Sequence, residues 1–340
     1  MSKSERPFNE PRSSEEPREV QLERARERGR GRHARHPLQI PWAGWKDILW
    51  RTYGEMVSDR LMAIAGGVAF FVLFAIFPAV TALVSAYGLA FDASTITQGF
   101  AMAEGVVPKD VLDLVRQQAG RIAAQGNGTL SIGFVAGIAV ALWSAMGGVK
   151  AMIDALNVIY EQQETRGVIR LTLLALLFTL GSFAVFLAAL GAVVAVPLAL
   201  ASFGAGGATG ALMQILRWPA LSIVLLVGLA LLYRYGPDRR MARWQWVSVG
   251  SVFASVVSIG ASYLFSWYIA KFNSYNATYG SLGAVAAMMM WLWITTTVVL
   301  LGAELNAEIE HQTAEDSTVG NDKPLGARGA VMADTVGAKQ

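Results

Sequence analysis

A chain of 340 residues that is 54% hydrophobic and only 16% charged falls well short of the roughly 25% charged content of an ordinary soluble domain, which excludes a water-soluble globule and indicates an integral membrane protein. The absence of cysteine excludes disulfides, thiolate metal sites and cysteine nucleophiles. The net charge of +3 implies little by itself, because the charge is gathered at the two ends and in a few connections.

Residues 1–41 are rich in Arg, Glu, Ser and Pro and show no apolar periodicity; such a segment buries too little surface to offset ordering and is expected to be disordered. Within it, residues 24–36 carry six arginines. A run of this kind suits nucleic acid or anionic lipid headgroups; beside a membrane span the expected partner is anionic membrane lipid and not nucleic acid, and the run helps to set orientation. The first long apolar segment begins near Leu61, too late for the core of a cleavable signal.

From Trp45 onward, Ile48, Leu49, Tyr53 and Met56 recur at three- and four-residue steps, with Lys46, Asp47, Arg51 and Glu55 on the other face. This spacing predicts an amphipathic helix, and Trp42, Trp45 and Trp50 place it at headgroup level as an elbow before the first span. Six spans are then expected, at about residues 61–91, 129–149, 168–200, 212–235, 244–270 and 281–303, each about the 20 residues or more that a crossing needs. Pro78 predicts a kink in the first, and Gly133 and Gly137 allow close helix approach in the second. The connection 92–128 contains an amphipathic segment, KDVLDLVRQQAGRI, and the stretch after Lys150 continues the second helix beyond the hydrocarbon. The two halves share no residue pattern that would mark an internal repeat. From about residue 311 the tail is polar and expected to be disordered, so the predicted organisation is a membrane domain at 42–310 between two unstructured ends.

Charge in the connections predicts orientation. Lys150, Arg166 and Arg170 lie between spans two and three, and Arg234, Arg239, Arg240 and Arg243 between four and five. The opposite side has Lys109, Arg116, Arg121, Arg217 and Lys271. With the basic N-terminal segment, this places both termini in the cytoplasm.

Enzymatic chemistry finds little purchase. The histidines are His33, His36 and His311, all outside the apolar spans, and no metalloprotease, phosphate-loop or hydrolase motif occurs in a suitable context, so neither a catalytic centre nor a metal or cofactor is predicted. The ionisable and amide residues at the span ends are the candidates for binding or gating. Lys150 and Asp154 stand one helical turn apart, near Asn157, and Glu304 and Asn306 close the last span; a Lys150–Glu304 contact is expected to be within reach. These are either interfacial charges in contact with water or a gate, since charge near hydrocarbon is costly and tends to be functional. Arg217 either snorkels or meets a lipid phosphate. Before the last span, Asn273, Tyr275, Asn276, Tyr279 and Gly280 form either a capped turn or a polar headgroup site.

The run FNSYNATYGSLGAVAAMMMWLW followed by LLGAELNAEIE resembles the YihY/BrkB family of bacterial inner-membrane proteins, as do AGGVAFFVLFAIFPAV at 65–80, ALNVIYEQQETR at 155–166 and LLYRYGPDRRMARW at 231–244. The similarity spans about residues 42–310. It implies an all-α, six-span protein of the inner membrane with both termini inside. The family once carried a ribonuclease label, and its BrkB members are associated with resistance to serum killing; this sequence offers no histidine or carboxylate cluster in the membrane domain for a nuclease. The leading expectation is transport or flipping of an envelope lipid or amphiphile, with a small-solute or ion exporter and a non-transporting envelope-assembly scaffold as alternatives.

Overall fold

The computed structural model describes residues 16–90, 127–202, 208–271 and 281–340. Its helices are α1 (Arg18–Ala25), α2 (Trp42–Ser58), α3 (Leu61–Ala90), α4 (Asn127–Ile159), α5 (Val168–Ser202), α6 (Ala208–Tyr235), α7 (Trp244–Lys271), α8 (Ser281–His311) and the single turn α9 (Val331–Asp334). Among the described residues no strand forms, and the one isolated bridge joins Ala242 to Thr318. The amphipathic segment expected at 109–122 lies outside the described residues.

The six long helices close into a ring, because each packs on its neighbour in the order α3, α4, α5, α6, α7, α8 and back to α3, while α8 also touches α4 across the ring. Among the described residues three stretches have the length and hydropathy of a bilayer crossing, Val168–Val185, Trp244–Ile269 and Val285–His311, and the α2–α3 pair makes a fourth if its two arms form one bent span. The expectation of six crossings goes beyond these three or four. Apolar side chains such as Phe70, Phe74, Trp143, Leu177, Val256 and Leu264 are exposed, as suits helices that face hydrocarbon.

The sharp bend falls between α2 and α3, at 62°, where Arg60 takes the left-handed φ of 52°; α3 itself runs as one helix through position 78. The elbow is amphipathic in an unexpected sense. Its buried face holds Gly44, Asp47, Ile48, Arg51 and Thr52, whereas Trp42, Leu49, Trp50, Tyr53 and Val57 are exposed. Asp47 and Arg51, expected on a water-facing side, point into the protein, and the apolar side faces out.

The buried core concentrates around the last turns of α8, where Leu300, Ala303, Ala307 and Ile309 join Ile48, Leu61, Ala65, Val68, Leu156, Tyr233, Trp246, Val247 and Ala254 from five other helices. The residues on both sides of the membrane domain belong to this assembly. Residues 16–41 and 312–340, whose composition suggests disorder, have defined conformations, with Arg32, Gln312, Thr313, Ser317, Thr318, Met332 and Val336 buried. Composition underestimates them because each segment buries its polar atoms on the other: Arg32 donates to the carbonyls of Gln312 at 3.1 Å and Gly337 at 2.7 Å.

Since lipid tails are as apolar as leucine, helix association in a bilayer leans on close backbone approach at small residues. Among the described glycines this occurs where Gly148 meets Val72 and, most tightly, where Gly250 of α7 faces Gly302 of α8; the side-chain position of Gly133, expected to allow close approach together with Gly137, lies outside the described residues. A Cβ at Gly250 would collide with the Gly302 carbonyl and lie 2.6 Å from Cγ of Asn306. Gly250→Ala should therefore push α7 from α8 and cost about 1–3 kcal/mol, read as a lowered melting temperature in nanodiscs. Gly260→Ala, on the same helix with nothing within 4 Å of its Cβ, should melt with the wild type.

Candidate functional site

Twenty residues of α-helix from Ser281 rise about 30 Å, one hydrocarbon thickness. The residues that follow, AELNAEIEHQ at 303–312, are polar at nearly every second position yet almost wholly buried. With about 100° between successive residues, Glu304, Glu308 and His311 share one face of α8, and Asn306, Glu310 and Thr313 another. The strip thus addresses α2 on one side and α7 with its preceding turn on the other.

On the α7 side, Asn306 acts as a clamp. Its Oδ1 accepts the Gly250 N–H at 2.7 Å and its Nδ2 donates to the Val247 carbonyl at 3.1 Å, so one side chain satisfies a donor and an acceptor of the neighbouring backbone. Tyr233 of α6 adds a second tie, donating its hydroxyl to the Val299 carbonyl at 2.7 Å. One turn beyond, Glu310 receives both terminal nitrogens of Arg239 at 3.0 and 2.6 Å, and both side chains are fully buried. The guanidinium lies over the Tyr160 ring at 4.2 Å, and Ser317 donates to the same carboxylate at 3.1 Å.

On the α2 side, Glu308 pairs with Nε of Arg51. The guanidinium also donates to the Glu308 carbonyl at 3.2 Å, Oε1 of Gln312 at 2.8 Å and the Ala338 carbonyl at 2.9 Å. Arg51 therefore joins the elbow, the last span and the end of the chain. Arg30 binds Asp47, whose Oδ1 also accepts the Gln340 N–H at 3.0 Å. Glu304 differs from these acids: it is 0% exposed, and neither carboxyl oxygen has a hydrogen-bond partner among the described residues.

A second polar cluster fastens the α4–α5 turn to the α6–α7 turn. Asn157 donates to Glu164 at 2.9 Å and accepts the Asp238 N–H at 2.8 Å. Arg166 holds both oxygens of Glu164 and the Gly236 carbonyl, while Thr165 donates its N–H and hydroxyl to Asp238 at 2.7 and 2.6 Å. Burial opposes the charged form of Glu164, but the hydrogen bonds from Arg166 and Asn157 outweigh it and hold the carboxyl below its usual value. Asp316 in the tail is depressed in the same way, burial being overcome by bonds from Thr318 and Lys323.

Lys150 does not reach Glu304. It donates to Oγ1 of Thr172 on α5 at 3.0 Å, and among the described residues it forms an ion pair with neither Glu304 nor Asp154, the latter being exposed. The expected Lys150–Asp154–Glu304 grouping is therefore not assembled in this conformation, because Lys150 faces α5. Asn157 and Asn306 each bridge two elements, Glu304 is buried near Asn306, and Arg217 stands within α6. Asn273, Tyr275, Asn276, Tyr279 and Gly280 lie outside the described residues. Arg51, Arg239, Glu308, Glu310 and Gln312 were not singled out from the sequence. The signal available for them was the recurrence of acids at 304, 308 and 310 immediately after an uncharged run, which demands counter-charges from elsewhere. Among the described residues no group of three or more His, Asp or Glu side chains is placed to hold a metal ion.

Breaking a buried ion pair leaves an uncompensated charge and costs roughly 3–5 kcal/mol. Arg51→Ala and Glu308→Ala should each lower the melting temperature sharply, while the apolar pair Arg51→Met with Glu308→Leu should recover most of the loss; Arg51→Ala should also speed proteolysis of residues 336–340. At the other cluster the folded carboxyl of Glu164 titrates below its ordinary value. Its contribution to stability is complete above that ordinary value and is lost as the pH falls through the folded one. Acidification below the ordinary glutamate range should then accelerate amide exchange in 161–167, whereas Glu164→Gln should exchange rapidly already at neutral pH and lose the dependence.

A family model described as Virulence factor BrkB matches residues 52–325. The chain is 32% identical to the putative ribonuclease-like protein YfkH of Bacillus subtilis over 187 residues, which cover 54% of this chain and 66% of that protein. It is 26% identical over 283 residues to a UPF0761 membrane protein of Pseudoalteromonas translucida, covering 81% and 88% of the two chains. A UPF0761 membrane protein of Vibrio cholerae is 28% identical over 269 residues, 75% of this chain and 84% of that one. No solved structure matches significantly. With the helical ring and the whole acidic strip of α8 inside the matched stretch, the chain is a membrane protein that belongs to the BrkB family.

Proposed function

We propose that this protein is a transporter of the bacterial inner membrane, with six crossings and both termini in the cytoplasm, that moves a lipid-linked or amphiphilic envelope component. The observation that carries this reading is the strip of buried ionisable and amide side chains on α8, the element at the centre of the helix ring's core. Charge placed inside a bundle of apolar helices is expensive, and in membrane proteins it tends to mark a substrate or ion path. The polar segment around Asn276 and Tyr279 would receive the headgroup on the outer side, and the end of α8 would govern its release on the inner side. No catalytic role is assigned to any residue.

A second reading, an envelope-assembly scaffold, draws support from the folded terminal platform. Residues 16–41 and 312–340 border a cleft of about 740 Å³ of mixed polarity, lined by Glu16, Arg18, Asp238, Leu325, Val331 and Asp334 among others, a surface suited to a partner.

Reconstitution into liposomes with headgroup-labelled lipids separates the two. Transport predicts protein-dependent movement between leaflets, reduced by Asn276→Ala, Tyr279→Phe and Glu304→Ala. A lost polar contact worth about 1.5–3 kcal/mol corresponds to roughly tenfold or more in rate. Unchanged movement in all three variants, with Lys150→Ala also unchanged, would exclude this mechanism.

A further inference from the structure

Every other acid on the α8 strip has a cation: Glu308 has Arg51 and Glu310 has Arg239. Among the described residues Glu304 has none, although it is as deeply buried as they are. The charges that act on it come from further acids, namely Asp59 and Glu55 at the end of α2, Glu308 on its own helix and Glu161 after α4. Among the cations of this end, Arg51 and Arg239 are engaged in the ion pairs above, Lys150 donates to Thr172, and Arg234 lies over the Trp244 ring at 4.1 Å. The same core holds Leu61, Ala65 and Val68 from α3, Trp246 and Val247 from α7, and the buried Tyr160 after α4, with Tyr233 from α6, whose hydroxyl is already given to the Val299 carbonyl; His311, on the Glu304 face of α8, lies 3.7 Å from Glu308.

An ionised carboxylate in such a place forfeits its hydration with no compensating charge, and a group so placed takes up a proton instead. A metal ion is a poor substitute, since among the described residues no three ligating side chains converge. We propose that Glu304 is a proton-binding site: its carboxyl is neutral in the conformation seen here and releases its proton when the end of α8 loosens from α2. On release the O–H bond breaks, the proton passes to water entering between the two helices, and the hydrated carboxylate would have to shed its water to be buried again, which disfavours reclosure. Proton binding thereby sets the balance between α8 packed on α2 and α8 loosened from it. That this balance drives movement of an amphiphile rests on the transport reading above.

The proton is directly observable. Infrared spectra of the full chain in nanodiscs at neutral pH, with glutamate isotopically labelled, are compared between wild type and Glu304→Gln. The expected difference is a protonated-carboxyl carbonyl band, sensitive to deuterium exchange, that the variant lacks. A difference containing only carboxylate bands overturns the proposal, as does a carboxylate band whose position follows the sodium or potassium supplied. Glu304→Met serves as a second, apolar reference if the glutamine variant does not fold; should neither fold, the wild-type spectrum in water and deuterium oxide decides, since absence of any deuterium-shifted glutamic acid carbonyl excludes a neutral Glu304. Lipid movement in liposomes across the same pH range is a separate arm. No movement at any pH would sink the transport reading and leave the infrared result standing, whereas movement independent of pH with an intact carbonyl band would sink only the coupling.

Discussion

The structure depends on one constraint: acids placed on the buried end of an apolar helix must be neutralised by groups that the same helix does not supply. α8 carries Glu304, Glu308 and Glu310 within two turns, and its nearest following residue of basic type is His311. The counter-charges come from distant segments, Arg51 from the elbow and Arg239 from the α6–α7 turn. Because a guanidinium offers donors in a rigid fork, each arginine also collects carbonyl or amide oxygens near its carboxylate or orders the aromatic ring beneath it. Charge neutralisation therefore fixes where α2, the turn before α7 and the chain terminus must lie.

Buried ion pairs are weak contributors to stability when compared with a well-packed apolar core. Their value here is positional. The close contact of Gly250 with Gly302 sets the distance between α7 and α8, and Asn306 sets their register by satisfying one donor and one acceptor of α7. The ion pairs then fix rotation, since turning α8 about its axis would carry Glu308 from Arg51 and Glu310 from Arg239 together. Glu304, lying on the Glu308 face, is held buried by contacts that belong to its neighbours. Its environment is thus a consequence of how the rest of the strip is satisfied.

The helical class, the long apolar helices and the elbow were legible in the sequence because they follow from local hydrophobic pattern. The polar end of α8 was legible in part, since Glu304 and Asn306 follow an uncharged run, but the burial of Glu308 and Glu310 was not. Nor was partner choice. Span boundaries suggested Lys150 for Glu304, but helical phase turns it toward Thr172 of α5, a matter of rotation that span boundaries do not set. The packing of residues 16–41 and 312–340 was not legible for a related reason. Their polarity suggested solvation, whereas Arg32, Gln312 and Arg328 spend their donors on carbonyls of segments up to about three hundred residues away, and composition contains no record of such pairings.

The boundary of the family match divides this polar end in two. Glu304, Asn306, Glu308, Glu310 and Arg239 all fall within residues 52–325. Arg24, Arg30, Arg32, Asp47 and Arg51 fall before it, and the segment 336–340 that Arg24, Arg32, Arg51 and Asp47 hold falls after it. The acidic strip thus belongs to the shared membrane domain, while the groups closing its α2 side come from both ends of this chain. Any movement of α8 away from α2 must first separate Arg51 from Glu308 and with it the chain end bound to the same guanidinium. Loosening of α8 from α2 and release of the terminal segment are consequently one event, and the ends of the chain set how readily Glu304 meets water.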